Sequence, residues 1–336
     1  MSHEVETMAY AYDEKKSTGN VWSQDNTYEH PWHINMTKGR SVPVDPGCSP
    51  DDMIKAARLD WTIERTGLYA DINGEKVSTG KDALYRSDTG DILTLAGPNW
   101  HEVQPTEFVD FFHDFCTEGS MEMNTMGSLF AGKRLFALAK VDAEFSLFRG
   151  RDRIESYFLF SNPIEYGQSL DLRFTPTRVV CNNTLTLALK GHNSDLGVRL
   201  NHRKKFDAEK VKELLDMGRE QLHGYKEAAE FLASKRWTVD ALKEYYMDIW
   251  PVGERKKKDL NELNRTGKMA MDALDTQPGA ELGEGSWWQA YNSVTYLIDN
   301  VLGKTQESRL NNAQFGQGRK LKVKALNKAL ELADAT

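Results

Sequence analysis

The sequence predicts an α+β fold, a curved antiparallel sheet with flanking helices and an all-helical C-terminal part, and three observations carry that prediction. Period-two alternation rich in β-branched and aromatic residues runs from 119 to 190. After 205 the apolar period becomes helical and stays so to the end. The strands come first and the helices after, without the alternation of a βαβ chain. Three parts follow: an extended N-terminal segment over 1–48, a sheet core over 49–205, and a helical region over 206–336 packed on or extending from that core. With 336 residues, 40% hydrophobic and 28% charged, the chain has material for a large core, and its composition excludes wholesale disorder.

The first 40 residues are rich in Gly, Asn, Thr, Ser and charge, with no sustained period. Glu29-His30-Pro31-Trp32-His33 is the exception. Zinc would need two further ligands, and no Cys or His pair with ligand spacing exists elsewhere in the sequence, so a tucked hook is expected there and no metal. Ser49-Pro50-Asp51-Asp52 is a helix start: a hydroxyl cap, proline in the first turn, and acids at the positive end of the helix dipole. Met53, Ile54, Ala57 and Leu59 supply its apolar face. Strands are expected at Trp61–Arg65 and Gly67–Ala70. Asn73-Gly74 predicts a tight hairpin turn, and Ile92–Gly97 a further strand. Thr106 is the expected cap of a second helix, whose Phe108, Val109, Phe111, Phe112 and Phe115 read as core.

Ser128–Val141 predicts a hairpin around Gly132-Lys133, and Tyr157–Phe160, Leu170–Thr175 and Arg178–Cys181 predict more strands. Val211, Leu214, Leu215, Gly218, Leu222, Tyr225, Ala229 and Leu232 recur at helical spacing. Thr238 and Ser286 cap later helices, the second carrying Trp287, Trp288 and Tyr291, which should be core or an oligomer seam. Another helix is expected from about Glu254 to Leu274. Residues 303–318, rich in Gly, Asn and Gln, read as a loop before a basic last helix at Arg319.

No apolar run approaches the roughly 20 residues that cross a bilayer, and the N-terminus is polar and acidic, so the expectation is a cytoplasmic protein with no membrane contact. Cys48, Cys116 and Cys181 lie far apart, which fits a reducing compartment. Net charge is −7, but unevenly spread: residues 1–127 carry −12 and residues 128–205 carry +6. A basic middle inside an acidic chain is where a polyanion would dock.

The motifs of the common enzyme classes are missing. There is no G-x-x-x-x-G-K-[ST], no G-x-S-x-G, no H-E-x-x-H and no EF-hand loop, and no strand precedes the glycines at 279–285. Asp110, His113 and Asp114 share one helix face without a nucleophile or metal partner, and a solvated face explains them. No cofactor and no catalytic residue is therefore expected. The basic stretch instead interleaves cations with aromatic residues, the combination that tracks a single strand: charge for phosphates, rings for bases. Lys133, Arg134, Lys140, Arg151, Arg173 and Arg178 are the expected phosphate contacts, and Phe136, Tyr157 and Phe174 the stacking rings. In Arg178-Val179-Val180-Cys181-Asn182-Asn183-Thr184, the amides Asn182 and Asn183 either close a turn or offer donors to a phosphate or base edge.

Several segments together resemble the phage- and plasmid-borne proteins built around domain of unknown function 932. They are Met1–Tyr10, Pro31-Trp32-His33, Ser49–Trp61, Thr177–Leu185 and Trp287–Thr295. The chain departs from that pattern at Ile34-Asn35-Met36, where a glycine-containing segment is usual, and in a longer insert over Asp13–Tyr28. The resemblance brings no agreed activity. A basic antiparallel sheet with flanking helices is also similar, at fold level, to phage single-strand annealing proteins of the RecT, Red-beta and Erf type. That similarity implies single-stranded DNA as partner, annealing or recombination as activity, and a homo-oligomer as the working form. The alternative is a protein-interaction module acting on a host partner, against host defence or on replication, without nucleic-acid binding.

Overall fold

The computed structural model describes residues 10–12, 21–22, 41–43, 49–165, 168, 170–179, 183–185, 198–199, 208–251 and 263–335. Three short strands lead: β1 (Tyr10–Tyr12), β2 (Val21–Trp22) and β3 (Ser41–Pro43). The hook at 29–33 and the insert at 13–20 and 23–28 lie outside the described residues.

Ser49 caps α1 (Pro50–Ala56), its hydroxyl accepting the Asp52 N–H at 3.2 Å. A three-stranded antiparallel sheet follows: β4 (Ile63–Ile72), β5 (Glu75–Arg86) and β6 (Ile92–Ala96), with β5 central and Asn73-Gly74 turning the first hairpin as predicted. Helix α2 (Pro105–Glu118) starts two residues earlier than expected, with Gln104 and not Thr106 as its N-cap. The reason is a long-range tie. Gln104 accepts the Ile63 N–H at 2.8 Å and donates to the Ile63 carbonyl at 3.1 Å, so the helix entry is pinned to β4.

The main sheet is built on β7 (Glu122–Leu129), β8 (Arg134–Leu147), β9 (Asp152–Pro163) and β10 (Asp171–Arg178), paired antiparallel in chain order. Short β2 extends the β7 edge, while β11 (Asn183–Thr184) and β12 (Val198–Arg199) both pair with β10. The sheet is an open path, uncurled where curvature is expected from the sequence.

Pleating gives this sheet two apolar faces. Ala137 opposes Phe160, and Phe158 opposes Phe174, on the face covered by α2 and by α3 (Ala208–Ser234). There Phe112 and Phe115 meet Phe160 edge-on at 5.2 and 4.6 Å between ring centres. Helix α3 approaches so closely that a Cβ on Gly218 would lie 2.9 Å from the Phe158 ring. The opposite face carries a second cluster of Leu129, Phe136, Leu138, Tyr157 and Leu159, reached by Leu310.

The C-terminal part is helical, as predicted: α4 (Val239–Ile249), α5 (Arg265–Thr276), α6 (Trp287–Tyr296) continuing into a π-helical turn at Leu297–Val301, α7 (Gln306–Phe315) and α8 (Gln317–Asp334). Trp287, Trp288 and Tyr291 are fully buried in the main core rather than on a surface seam. The expected loop at 303–318 is instead largely α7. Its start is capped reciprocally by Thr305 and Ser308, and its few apolar residues (Leu310, Ala313, Phe315) leave a weak periodic signal. Among the described residues no helix is long and apolar enough to cross a membrane.

Candidate nucleic-acid interface

The proposed stacking rings do not face solvent. Phe136, Tyr157 and Phe174 are each 1% exposed or less, and packing against neighbouring rings and aliphatic groups holds them there. Stacking of bases on these three is therefore corrected: burying them stabilises the fold, and none offers a face to a base in this structure.

Three of the six expected phosphate contacts are also occupied by carboxylates. Arg178 is buried, and its Nε contacts both oxygens of buried Asp152 at 2.7 and 2.9 Å while Nη2 donates to the Gly279 carbonyl at 3.1 Å. The Trp288 indole N–H donates to the same carboxylate at 2.9 Å. Arg178 is thus corrected from phosphate contact to a bond between sheet and C-terminal helices, because a buried guanidinium requires a counter-charge. Lys140 pairs with buried Glu155 at 3.2 Å, and Glu155 also accepts from Arg153 and, at 2.6 Å, from Tyr157. Arg173, buried, pairs with Asp171 at 2.5 Å. Asn182 lies outside the described residues, and Asn183 is described only as backbone, opposite Arg178 in the β10–β11 ladder.

A second buried tie joins the same parts. The Thr184 N–H donates to Asp299 at 2.7 Å. Lys322, with no exposed surface, reaches Asp299 at 2.7 Å and the Thr184 hydroxyl at 2.9 Å. Burial pushes the Asp299 carboxyl up and the Lys322 ammonium down from their ordinary pKa values, the expected response of charges removed from water. Asp299 sits in the π-helical turn, an irregularity that brings its carboxylate to β11. Nothing about these two residues stands out in the sequence, since a lone Asp and a Lys in a basic helix carry no motif.

Open positive charge remains at the two ends of β8. The β7–β8 and β8–β9 turns share one pattern, Phe130-Ala131-Gly132-Lys133 and Phe148-Arg149-Gly150-Arg151, each with three successive residues of positive φ. In both, the phenylalanine is partly buried and the cation after the glycine is exposed. Lys133, Arg149 and Arg151 form no ion pair with any described residue. Arg134, half-buried at the start of β8, donates to the Ser161 hydroxyl at 2.7 Å and stacks 4.4 Å from the Phe315 ring centre, without a carboxylate partner among the described residues. Burial lowers its pKa from the ordinary arginine value.

A cavity of about 460 Å³ lies where β8 bulges between Val141 and Glu144, lined by Ser120, Glu122, Lys140, Asp142, Glu144 and Glu155 among others. Its acidity makes it a poor place for a polyanion. On α2, Asp110 is exposed and has its carboxyl pushed up by desolvation and then by Asp114. Among the described residues no three His, Cys, Asp or Glu side chains converge as metal ligands.

These features define an α+β protein whose antiparallel sheet is fastened to a helical part by buried charge pairs and keeps free cations at its strand turns. Residues 92–318 match the family model described as Domain of unknown function (DUF932), and the chain belongs to that family. No curated protein and no solved structure is significantly similar to it.

Proposed function

We propose that this chain is a DNA-metabolism protein of the phage and plasmid kind, which binds single-stranded DNA as a homo-oligomer and serves annealing or recombination. The observation that supports it is the unpaired cations at both ends of β8. The 14 residues of that strand separate Lys133 and Arg134 from Arg149 and Arg151 by about 45 Å. A strand of DNA would be held by its phosphates at those ends, and bases would not stack on the buried rings in between. No nucleophile is needed for such an activity, only neutralised backbone and positioned bases.

The test is fluorescence anisotropy of a labelled single strand of ~40 nucleotides across a salt series, with the duplex alongside. If each of the four cations neutralises one phosphate, the logarithm of affinity falls with a slope of about −2.8 against the logarithm of salt. Between 50 and 200 mM that is a loss of roughly 50-fold per protomer. Lys133→Ala with Arg149→Ala and Arg151→Ala should flatten the slope to about −0.7. Binding that ignores salt, or that prefers duplex, refutes the proposal.

A second reading, a protein-interaction module, is favoured by one feature. The outer part of the β4–β5 hairpin and strand β6 expose Tyr69 (59%), Ile72 (53%), Val77, Ile92 (57%) and Leu95. Exposed apolar groups along an antiparallel sheet suit a protein partner. Capture of one stoichiometric protein from nuclease-treated host lysate, abolished by Tyr69→Lys with Ile72→Lys, would select this reading.

A further inference from the structure

The two edges of the three-stranded sheet are treated differently, and the β4 edge is the open one. Asn73 and Gly74, at φ 55° and 86°, form a two-residue type I′ turn, so Ile72 and Glu75 are the closing hydrogen-bonded pair of the hairpin. The backbone groups of Ile72, Ala70 and Leu68 therefore point toward β5, and the Thr79 hydroxyl donates to the Leu68 carbonyl at 2.8 Å. At the inner end the Ile63 N–H and carbonyl point the other way, into the Gln104 side chain. Alternation then places the backbone groups of Arg65, Gly67, Tyr69 and Asp71 on that same outward edge. Among the described residues β4 pairs with no strand but β5, and nothing beyond Ile63 takes the place of Gln104. The opposite edge is guarded: past β6, the Gly80 and Lys81 N–H groups of β5 are taken by the Ser78 and Thr79 hydroxyls, each at 3.3 Å. From Thr66 to Asp82 no side chain is buried, and β4 carries neither proline nor lysine. Such an edge is a template for another strand.

The edge is complementary to itself. Glu64–Ile72 laid antiparallel on a second Glu64–Ile72 is centred on Leu68, and outward-facing residues then meet outward-facing residues. Arg65 lies opposite Asp71 of the second copy, Gly67 opposite Tyr69, and Leu68 opposite Leu68. Asp82 and Glu102, at 3.1 and 2.9 Å, already hold Arg65 in place. The Tyr69 ring, 59% exposed, now lies over its own Gly67, where an added Cβ would be 3.2 Å away, and an aromatic ring covers an edge glycine equally well across a strand pair. Sliding the register by two residues sets Asp71 against Gly67 or Ile63 and loses the charge match. We infer that β4 is a self-association edge, at which two copies join antiparallel about Leu68 into one six-stranded sheet. The inference stands apart from nucleic-acid binding and goes beyond it by naming the surface between copies.

Sedimentation velocity of the full chain over a concentration series should show a reversible monomer–dimer equilibrium. Tyr69→Pro removes an outward N–H without taking a bond from β5, and should weaken the dimer at least tenfold while the circular dichroism of the monomer is unchanged. Oxidation reads the register. Leu68→Cys should give an interchain disulfide, because directly opposed Cα atoms of a non-hydrogen-bonded pair lie about 4.5 Å apart. Ala70→Cys, about 14 Å from its counterpart, should crosslink no more than wild type. A chain that is monomeric throughout, a dimer untouched by Tyr69→Pro, or equal crosslinking by Leu68→Cys and Ala70→Cys overturns the inference. A monomer that captures a host protein through β4 also overturns it and selects the interaction-module reading. Should Tyr69→Pro fail to fold, the comparison of Leu68→Cys with Ala70→Cys decides alone.

Discussion

Asp152→Ala removes the carboxylate on which two elements of the fold converge. In the native protein Asp152 is fully buried, takes both contacts from Arg178 Nε at 2.7 and 2.9 Å, and accepts the Trp288 indole at 2.9 Å. Its loss takes from Arg178, 3% exposed, its buried carboxylate, while the Gly279 carbonyl and the Trp288 ring at 5.8 Å stay in place. Breaking a buried ion pair from one side costs about 3–5 kcal/mol, and an orphaned indole donor about 1–3 more. The two effects share a relaxation, so about 4–6 kcal/mol is expected rather than their sum. Against a total stability of about 5–15 kcal/mol, this brings the variant to the edge of folding, with the midpoint lowered by about 10–20 °C. Urea titration followed by tryptophan fluorescence and near-ultraviolet circular dichroism measures it. Arg178→Met should behave similarly, whereas Asp152→Leu with Arg178→Met should recover most of the loss, because no charge is then left unpaired. An Arg178→Met protein as stable as wild type, but unable to bind single strands, would refute the reasoning and return Arg178 to the role of a ligand contact.

Two further outcomes follow from the core. Lys322→Met strands Asp299 and should cost about 3–5 kcal/mol, with Lys322→Met/Asp299→Asn milder than the single change in a double-mutant cycle. The pH sign is fixed by the shifts. Asp299, with its pKa raised above 3.8, contributes stability that is present below 3.8 and lost as pH rises through its folded value; Lys322, lowered from 10.5, lets stability recover as pH rises toward 10.5. The wild type should therefore be least favoured over the double variant between those limits, as measured by melts from pH 4 upward. Trp287→Ala should cost about 3–5 kcal/mol, since Trp287 has no exposed surface and packs edge-on to Tyr245 at 5.6 Å; an unchanged urea midpoint would contradict its place in the core.

The parts of the fold that were legible in the sequence share a local cause. Ser49, Thr238 and Ser286 each cap a helix through their own hydroxyl. Asn73-Gly74 turns a hairpin by its own backbone preference, and alternation along 134–141 and 157–160 records two apolar faces of one sheet. What was hidden depends on partners distant in sequence. Thr106 lost the cap to Gln104 through a bond 41 residues away, and α7 forms with little periodicity because the reciprocal Thr305/Ser308 cap starts it. The site suffered most for the same reason. A cation in an alternating strand reads alike whether its partner is solvent or a buried carboxylate, so Arg173 and Arg178 looked no different from Lys133 and Arg151. Likewise Phe136 and Tyr157 read as an outer face because a second apolar cluster on that side, reached by Leu310 of the unforeseen helix, is invisible to period two.

This sorting bears on how the family signature is to be interpreted. The segments that carry the resemblance, Thr177–Leu185 and Trp287–Thr295, meet in space: Arg178 and Trp288 share Asp152, Thr184 shares Asp299 with Lys322, and Ser293 bonds the Tyr246 hydroxyl at 2.7 Å. Their chemistry is spent inside the protein, on fastening a sheet to its helices. A chain can then retain these residues for its fold alone, whatever it binds. Function has to be sought where side chains keep unspent capacity: Lys133, Arg149 and Arg151 at the turns of β8, and the exposed apolar side chains of β4 to β6. The first group suits an anion and the second a protein surface. Charge-reversal at Lys133 and Arg151 should accordingly abolish the first kind of binding while leaving the Asp152 lock, and with it the stability of the fold, unchanged.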